Sequence, residues 1–238
     1  MKKLLLIIIV FVTSLTYCQT AEEYYNKGIS KDSLRDDKGA IADYTKAVEL
    51  NPNFSDAYYV RGLSKHNLKD YQGAIEDFTK AIKINPKDAY IYFKRGLSKD
   101  ESKDDKGAIA DYTKAIEINP KEVDAYHFRG GAKSDLKDYK GAIADYTKAI
   151  EINPNPNEFY SYSFRGLNKF NLKDYKGAIE DQSKAIELNP NDDYEYFARG
   201  VTKLKLNQKE SACVDFYKAK ELGNEEALEM INKNCNKK

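Results

Sequence analysis

Gly107–Pro120 reads GAIADYTKAIEINP, and Gly141–Pro154 repeats it letter for letter. Near-copies occupy Gly39–Pro52, Gly73–Pro86 and Gly177–Pro190, with an eroded one at Ser211–Asn224. Successive copies begin 34, 34, 34, 36 and 34 residues apart, and the two extra residues fall within NPNPNE (Asn153–Glu158). In the copy at Gly73, the apolar residues Ala74, Ile75, Phe78, Ala81, Ile82 and Ile84 recur at steps of three and four, so they share one face of an amphipathic helix. Asn85–Pro86 ends it, because proline lacks the amide hydrogen of the helical ladder and pushes the preceding residue out of the helical region. Upstream, DAYYVRGLSKHNL (Asp56–Leu68) carries Ala57, Tyr58, Leu63 and Leu68 in a second helical pattern, and Asp70 is placed to cap the helix that follows. Each unit is a helix–turn–helix. A fixed period of this length predicts a solenoid in which each unit buries its apolar face only against its neighbours.

The repeat also holds a register of individual residues. Gly28, Gly62, Gly96, Gly130, Gly166 and Gly200 in the first helices pair with Ala40, Ala74, Ala108, Ala142, Ala178 and Ala212 in the second, letting the two axes approach. Large rings follow at Tyr44, Phe78, Tyr112, Tyr146 and Phe216, then Ala47, Ala81, Ala115, Ala149, Ala185 and Ala219, with Pro52, Pro86, Pro120, Pro154 and Pro190 closing the units. In these residues the chain resembles the tetratricopeptide repeat over about residues 21–226. The resemblance implies an all-α, right-handed superhelical solenoid of six helix–turn–helix repeats. These are residues 21–54, 55–88, 89–122, 123–158 (with the two-residue insertion at its end), 159–192 and 193–226, followed by a capping helix and tail at 227–238. Three departures stand out: Gln182 replaces the ring of the fifth copy and should loosen its core, Asn224 replaces the last proline, and Lys31, Lys65, Lys99, Lys133, Lys169 and Lys203 stand where the family often has tyrosine.

Those lysines create an electrostatic problem. Arg61 and Lys65 lie four residues apart on one helical face, where like charges repel, and the pairing recurs as Arg95/Lys99, Arg129/Lys133, Arg165/Lys169 and Arg199/Lys203. Each second helix offers an anion: Asp77, Asp111, Asp145, Asp181 or Asp215. The pattern predicts a ladder of partly buried Arg–Asp pairs, with Lys27–Asp43 as a weaker first rung.

The resemblance also implies that the first helices line a concave groove that receives a peptide or a segment of another protein. On that face it puts Tyr25, Tyr59, Phe93, His127 and Phe197, with Ile29, Leu63, Leu97, Leu167 and Val201 one turn on; Tyr160 and Tyr194 near the rim with Asp56 and Asp124; and Asp100, Asp135 and Phe170 further along. The face divides into an acidic zone over the first four units and an aromatic, nearly neutral zone over the last two. It is expected to be a curved open surface without an enclosed pocket. The lysine clamp of the family's chaperone-tail receptors is missing, because aromatics stand at its first position. The function expected is a non-enzymatic interaction scaffold for another protein or peptide; a structural spacer using the convex face or the ends is the other reading.

Composition narrows the field further. The net charge of +1 argues against a nucleic-acid partner, which would call for a basic excess. The two histidines, His66 and His127, lie in different units with no cysteine or second histidine at ligand spacing, so no metal and no cofactor is expected, nor a small-molecule substrate. DDKGA (Asp36–Ala40) lacks the alternating acids and closing glutamate of a calcium loop and reads as a helix cap. Lys2, Lys3 and the apolar run Leu4–Val12 form an export signal over residues 1–18, too short for a permanent bilayer anchor. Two cleavage modes fit: ordinary signal peptidase after Cys18, or a lipoprotein box ending at Cys18, which has Tyr17 where a small residue is wanted. The chain is therefore expected in the periplasm, outer membrane or exterior, membrane-attached only if Cys18 is lipidated. Finally, GNEEALEMINKNCNKK reads as a capping helix from Glu225 to about Asn234 with Ala227, Leu228 and Ile231 on the last unit. If it runs antiparallel to the last second helix, Cys213 and Cys235 meet at one end. In an exported protein such a pair is expected to be oxidised, the other reading being buried free thiols.

Overall fold

The computed structural model describes residues 19–153 and 159–235. The stretch at 1–18 expected to be an export signal, with Cys18, the body of the NPNPNE insertion with Pro154, and the last three residues of the tail lie outside the described residues. Every regular element among those described is an α-helix. In chain order they are α1 (Ala21–Ser33), α2 (Asp37–Leu50), α3 (Ser55–Asn67), α4 (Tyr71–Ile84), α5 (Ala89–Glu101), α6 (Asp105–Ile118), α7 (Val123–Asp135), α8 (Tyr139–Ile152), α9 (Phe159–Asn171), α10 (Tyr175–Leu188), α11 (Asp193–Lys205), α12 (Lys209–Glu221) and α13 (Glu226–Asn234). None of the described helices is long and apolar enough to cross a membrane.

One local code makes the turns. The amide of Asp70 bonds back to the Lys65 carbonyl at 2.9 Å and that of Lys69 to His66 at 2.8 Å, closing α3 in a Schellman motif with Lys69 at φ 64°. Asp70 then caps α4 by accepting from the Gly73 amide at 3.0 Å. Arg35, Lys103, Lys137 and Lys173 hold the same left-handed position, and Asp36, Asp104, Asp138 and Asp174 the same cap. Leu68, expected inside α3, is instead the residue that caps it, and it is 42% exposed. At the far end of the second helices the residue before proline leaves the helical region, reaching extended backbone at Asn51 (ψ 91°) and Asn119 (ψ 91°).

The chain divides into two compact units, Met1–Ser98 and Lys99–Lys238. In the first, α2 packs on α1 and α3, and α3 on α4. In the second, each helix from α7 to α12 packs on the helix before and after it, and α13 covers α12. Ala40, Tyr44, Ala74, Phe78, Ala108, Tyr112, Ala142, Ala149, Ala212 and Phe216 are fully buried. Glycine at Gly62 is a packing requirement, since a Cβ there would stand 2.8 Å from the Phe78 ring.

The charged ladder is present and more elaborate than expected. Arg61 donates to both oxygens of Asp77 (2.8 and 2.6 Å), and Lys65 reaches the same carboxylate at 2.7 Å. Arg129/Lys133 on Asp145, Arg165/Lys169 on Asp181 and Arg199/Lys203 on Asp215 repeat it, and Lys99 meets Asp111 at 2.8 Å. The remaining guanidinium nitrogen donates to a hydroxyl on the preceding second helix: Thr45, Thr79, Thr113, Thr147 or Ser183. Each guanidinium also lies over a tyrosine ring three residues back, from Tyr58 under Arg61 at 5.4 Å to Tyr196 under Arg199 at 5.7 Å. Two cations on one buried carboxylate leave a surplus positive charge, and the tyrosine π-face is suited to absorb it. The first rung differs from expectation. Asp43 pairs with Lys31 at 2.5 Å, while Lys27 sits over the Tyr24 ring. Lys27 holds the place that arginine holds elsewhere, and an ammonium lacks the planar fork that binds a carboxylate in two places.

At the C-terminal end, Ala227 and Ile231 of α13 are buried against the last hairpin, with Met230 beside them, and Cys213 is bonded to Cys235. Leu228, expected on that interface, is 44% exposed. Residues 227, 230 and 231 share one face at steps of three and four, and 228 is a hundred degrees away.

Candidate functional site

The ladder and the rings fix the interior; the faces of the first helices carry the residues that differ between copies. In the first unit that face is mostly closed by its own rings. Tyr25 lies 5.0 Å from Phe54 and 6.0 Å from Tyr44, and burial with the nearby charge of exposed Asp56 raises its hydroxyl pKa. Tyr59 packs between Phe78 and Tyr90, and Leu63 covers the cluster of Ala74, Phe78, Ala81 and Ile91. Phe93 is 3% exposed, beneath Tyr90 and the Lys94 ammonium, so it is floor and not free surface. Leu97 is half-buried. The polar residues are tied as well: Asp32 accepts from Tyr44 at 2.5 Å and Ser64 at 3.0 Å, and His66 Nδ1 lies 2.9 Å from Ser98 Oγ.

The second unit is open in two places, and both are recesses open to solvent. One recess, of about 310 Å³, is lined by Asp100, His127, Phe128, Gly131, Ser134, Asp135, Tyr146, Phe164 and Leu167. The other, of about 150 Å³, is lined by Leu167, Phe170, Gln182, Tyr194, Phe197, Ala198, Val201 and Thr202. Leu167 is common to both. Of the residues singled out from sequence, Asp100, His127, Asp135 and Leu167 meet in the first, and Leu167, Phe170, Tyr194, Phe197 and Val201 in the second. Asp124 is exposed and Tyr160 is 62% exposed, and neither lines a recess.

Both recesses arise where a copy carries a smaller or more polar side chain than its siblings. Gly131 stands where the other first helices have Ile29, Leu63, Leu97, Leu167 and Val201; Gln182 stands where the other second helices have a ring. The glycine was not recognised from sequence, although the gap in the apolar series was the signal for it. Phe128 and Phe164, adjoining it, were also missed.

The first recess is acidic. Burial raises the pKa of Asp100, and Asp105, Asp135 and Glu101 add to the shift; the Tyr112 hydroxyl approaches it at 3.5 Å. The Tyr146 hydroxyl is raised by burial and by Asp135, Asp145 and Asp100, so it stays protonated as a donor. Burial lowers the pKa of His127, which keeps the ring neutral near pH 7, with Nδ1 3.2 Å from Ser161 Oγ. The two Ser–His pairs are not arranged for nucleophilic attack: Ser98 is fully buried and Ser161 is 1% exposed, so neither hydroxyl can meet a substrate. No group of three or more metal-ligating side chains occurs among the described residues. What the face can do is receive a chain segment, with carboxylates at one recess and hydrocarbon at the other.

Comparison with known proteins agrees with this architecture. Sequence profiles of the tetratricopeptide repeat match residues 21–54, 55–88, 89–122, 123–156 and 159–192. A crystal structure of MamA superposes with a TM-score of 0.68 at 25% identity, covering 71% of this chain and 92% of that one. MamA from Desulfovibrio magneticus RS-1 gives 0.67 at 23%, covering 71% and 95%. YrrB, described as a TPR protein with an unusual peptide-binding site, gives 0.70 at 20%, covering 80% and 97%. A comparison with curated proteins gave no match.

Proposed function

Because the chain belongs to the tetratricopeptide-repeat family, whose repeats serve as generally non-enzymatic protein-interaction scaffolds, we propose that it holds an extended segment of another protein along the first-helix face of its second unit. The observation that carries the reading is the pair of adjoining recesses on that face, one rimmed by Asp100 and Asp135 and one apolar, sharing Leu167 as their divider. Asp100, half-buried and with a raised affinity for protons, favours a cation nearby, and the exposed Asp135 adds a second carboxylate at the same recess, so the segment carries lysine or arginine. We place the protein outside the cytoplasm: the Lys2–Lys3 charge with the Leu4–Val12 apolar run, and the Cys213–Cys235 disulfide, both support export.

The test is a panel of short extended peptides, basic, acidic and neutral, titrated against the full chain by fluorescence anisotropy. Basic peptides should bind best, and the Asp100→Lys, Asp135→Lys double variant should weaken them by about tenfold or more, with the effect shrinking at high salt. Indifference to peptide charge, or binding unaltered by the double variant, disposes of this mode. Cell fractionation that finds the chain in the cytoplasm with Cys213 and Cys235 reduced disposes of the export reading.

A further inference from the structure

In five of the six copies the second helix supplies a ring to its own core: Tyr44, Phe78, Tyr112, Tyr146 and Phe216. Each of these rings is 1% exposed or less. The fifth copy has Gln182, which is just as enclosed at 3% exposed. A glutamine lacks the volume of a ring. The shortfall is the recess of about 150 Å³ beside it, walled by Leu167, Phe170, Phe197, Val201 and Thr202, with Tyr194 at its mouth, 51% exposed. Apolar cavities of roughly this size are large enough to hold a benzene ring.

The amide adds a chemical requirement. Gln182 Oε1 is buried and has no hydrogen-bond partner, and leaving such an acceptor unsatisfied is costly. A purely hydrocarbon occupant would seal it in that state. An occupant with a ring and a hydroxyl would fill the volume and also satisfy the amide. A phenol hydroxyl both donates and accepts, so it serves the amide whichever way the side chain is turned.

We propose that the recess beside Gln182 is an anchor subsite for a tyrosine side chain of the partner segment, which supplies from outside the ring that the other five copies supply from within. The inference rests on the groove reading above and adds the identity of one partner side chain.

The probe is p-cresol, the tyrosine side chain as a free molecule, against toluene, the phenylalanine side chain, each titrated into the ¹⁵N-labelled full chain and followed by amide NMR. p-Cresol should saturate, with shifts centred on Gln182, Val201 and Thr202, and should bind roughly fivefold to tenfold more tightly than toluene, the worth of one hydrogen bond. Gln182→Leu should erase that preference while keeping binding. Gln182→Tyr should abolish binding by giving the copy its own ring, and Val201→Phe should do so from the opposite wall. Equal affinity for the two probes, no saturable shift, or unchanged binding in both filled variants overturns the proposal. If basic peptides bind in an Asp100- and Asp135-dependent way while p-cresol does not bind, the anchor fails and the groove reading stands.

Discussion

The fourth and fifth repeats lie side by side in the second unit and share ten of the fourteen residues of their second-helix phrase, yet they solve their interiors differently. In the fourth, Tyr146 fills the core, stacks on Phe164 at 5.9 Å, and would stand 3.1 Å from a Cβ on Gly130. In the fifth, Gln182 occupies that place and leaves a recess. Their charged rungs are the same: Arg129 meets Asp145 at 2.9 and 2.6 Å, and Arg165 meets Asp181 at 2.9 and 2.7 Å. The ladder therefore sets the helix pair whether or not a ring is present. The ring position is free to vary, and variation there makes a recess.

The strongest attack on that comparison removes the rung from both. Asp145→Ala and Asp181→Ala each strand two partly buried cations and should cost about 3 kcal/mol in urea unfolding, equally in the two repeats. Asp43→Ala in the first repeat should cost about 1 kcal/mol or less, since its partner Lys31 has 41% of its side chain exposed. A much larger loss at Asp181 than at Asp145 would mean that the rung compensates for the missing ring, and that the two features are coupled.

Exchanging the ring positions comes next. Tyr146→Gln should destabilise by about 3 kcal/mol or more, because it empties a packed core and buries an amide in it. Gln182→Tyr should stabilise by about 0.5–2 kcal/mol, because it fills an existing void. If Gln182→Tyr destabilises, the recess is smaller than a ring.

The junctions that follow the two repeats differ in the sign of their pH dependence. Between α9 and α11, the buried Glu195 accepts a hydrogen bond from Ser163 with one oxygen and has none on the other. Burial pushes its pKa from 4.5 up to about 7, with Asp192 adding and the Ser163 bond opposing. Its folded pKa exceeds its unfolded one, so its contribution is complete below about 4.5 and is lost as pH rises through about 7. The loss is about 3 kcal/mol, and Glu195→Gln should flatten it. Between α7 and α9 the equivalent partners are His127 and Ser161, and burial lowers the pKa of His127. That contribution is present above the unfolded value of 6.5 and is lost as pH falls through the lower folded value; His127→Phe should remove the loss. Unfolding midpoints between pH 4 and pH 8, with local hydrogen exchange to separate the junctions, read both slopes.

These cases also mark what the sequence could disclose. The rungs were readable because a positive pair four residues apart on nearly every first helix needs an anion, and each second helix carries one in register. The first rung misled because Lys27 keeps the charge of the arginine without its fork. The recesses were half readable: Gln182 stood out against five rings, while Gly131 was hidden among glycines that the fold itself requires. The His127–Ser161 and Ser163–Glu195 contacts were not readable. Each joins neighbouring first helices, and their meeting depends on how far one helix is displaced along the next, which periodicity does not specify.

The left-handed lysines were illegible for a simpler reason: the residue expected at a Schellman turn is glycine. Lys137 ends the first helix of the fourth repeat at φ 63°, and Lys173 ends that of the fifth at φ 64°. A Cβ in this region is strained against the following carbonyl, whereas glycine adopts it freely at the expense of a more disordered unfolded chain. Lys137→Gly and Lys173→Gly should each stabilise by about 0.5–1 kcal/mol, a small effect and one that is the same in both repeats, because the turn lies outside the core where they differ. Unequal gains in denaturation midpoint would show that the Gln182 recess reaches the turn, and that the frame common to the two repeats is less uniform than its hydrogen bonds indicate.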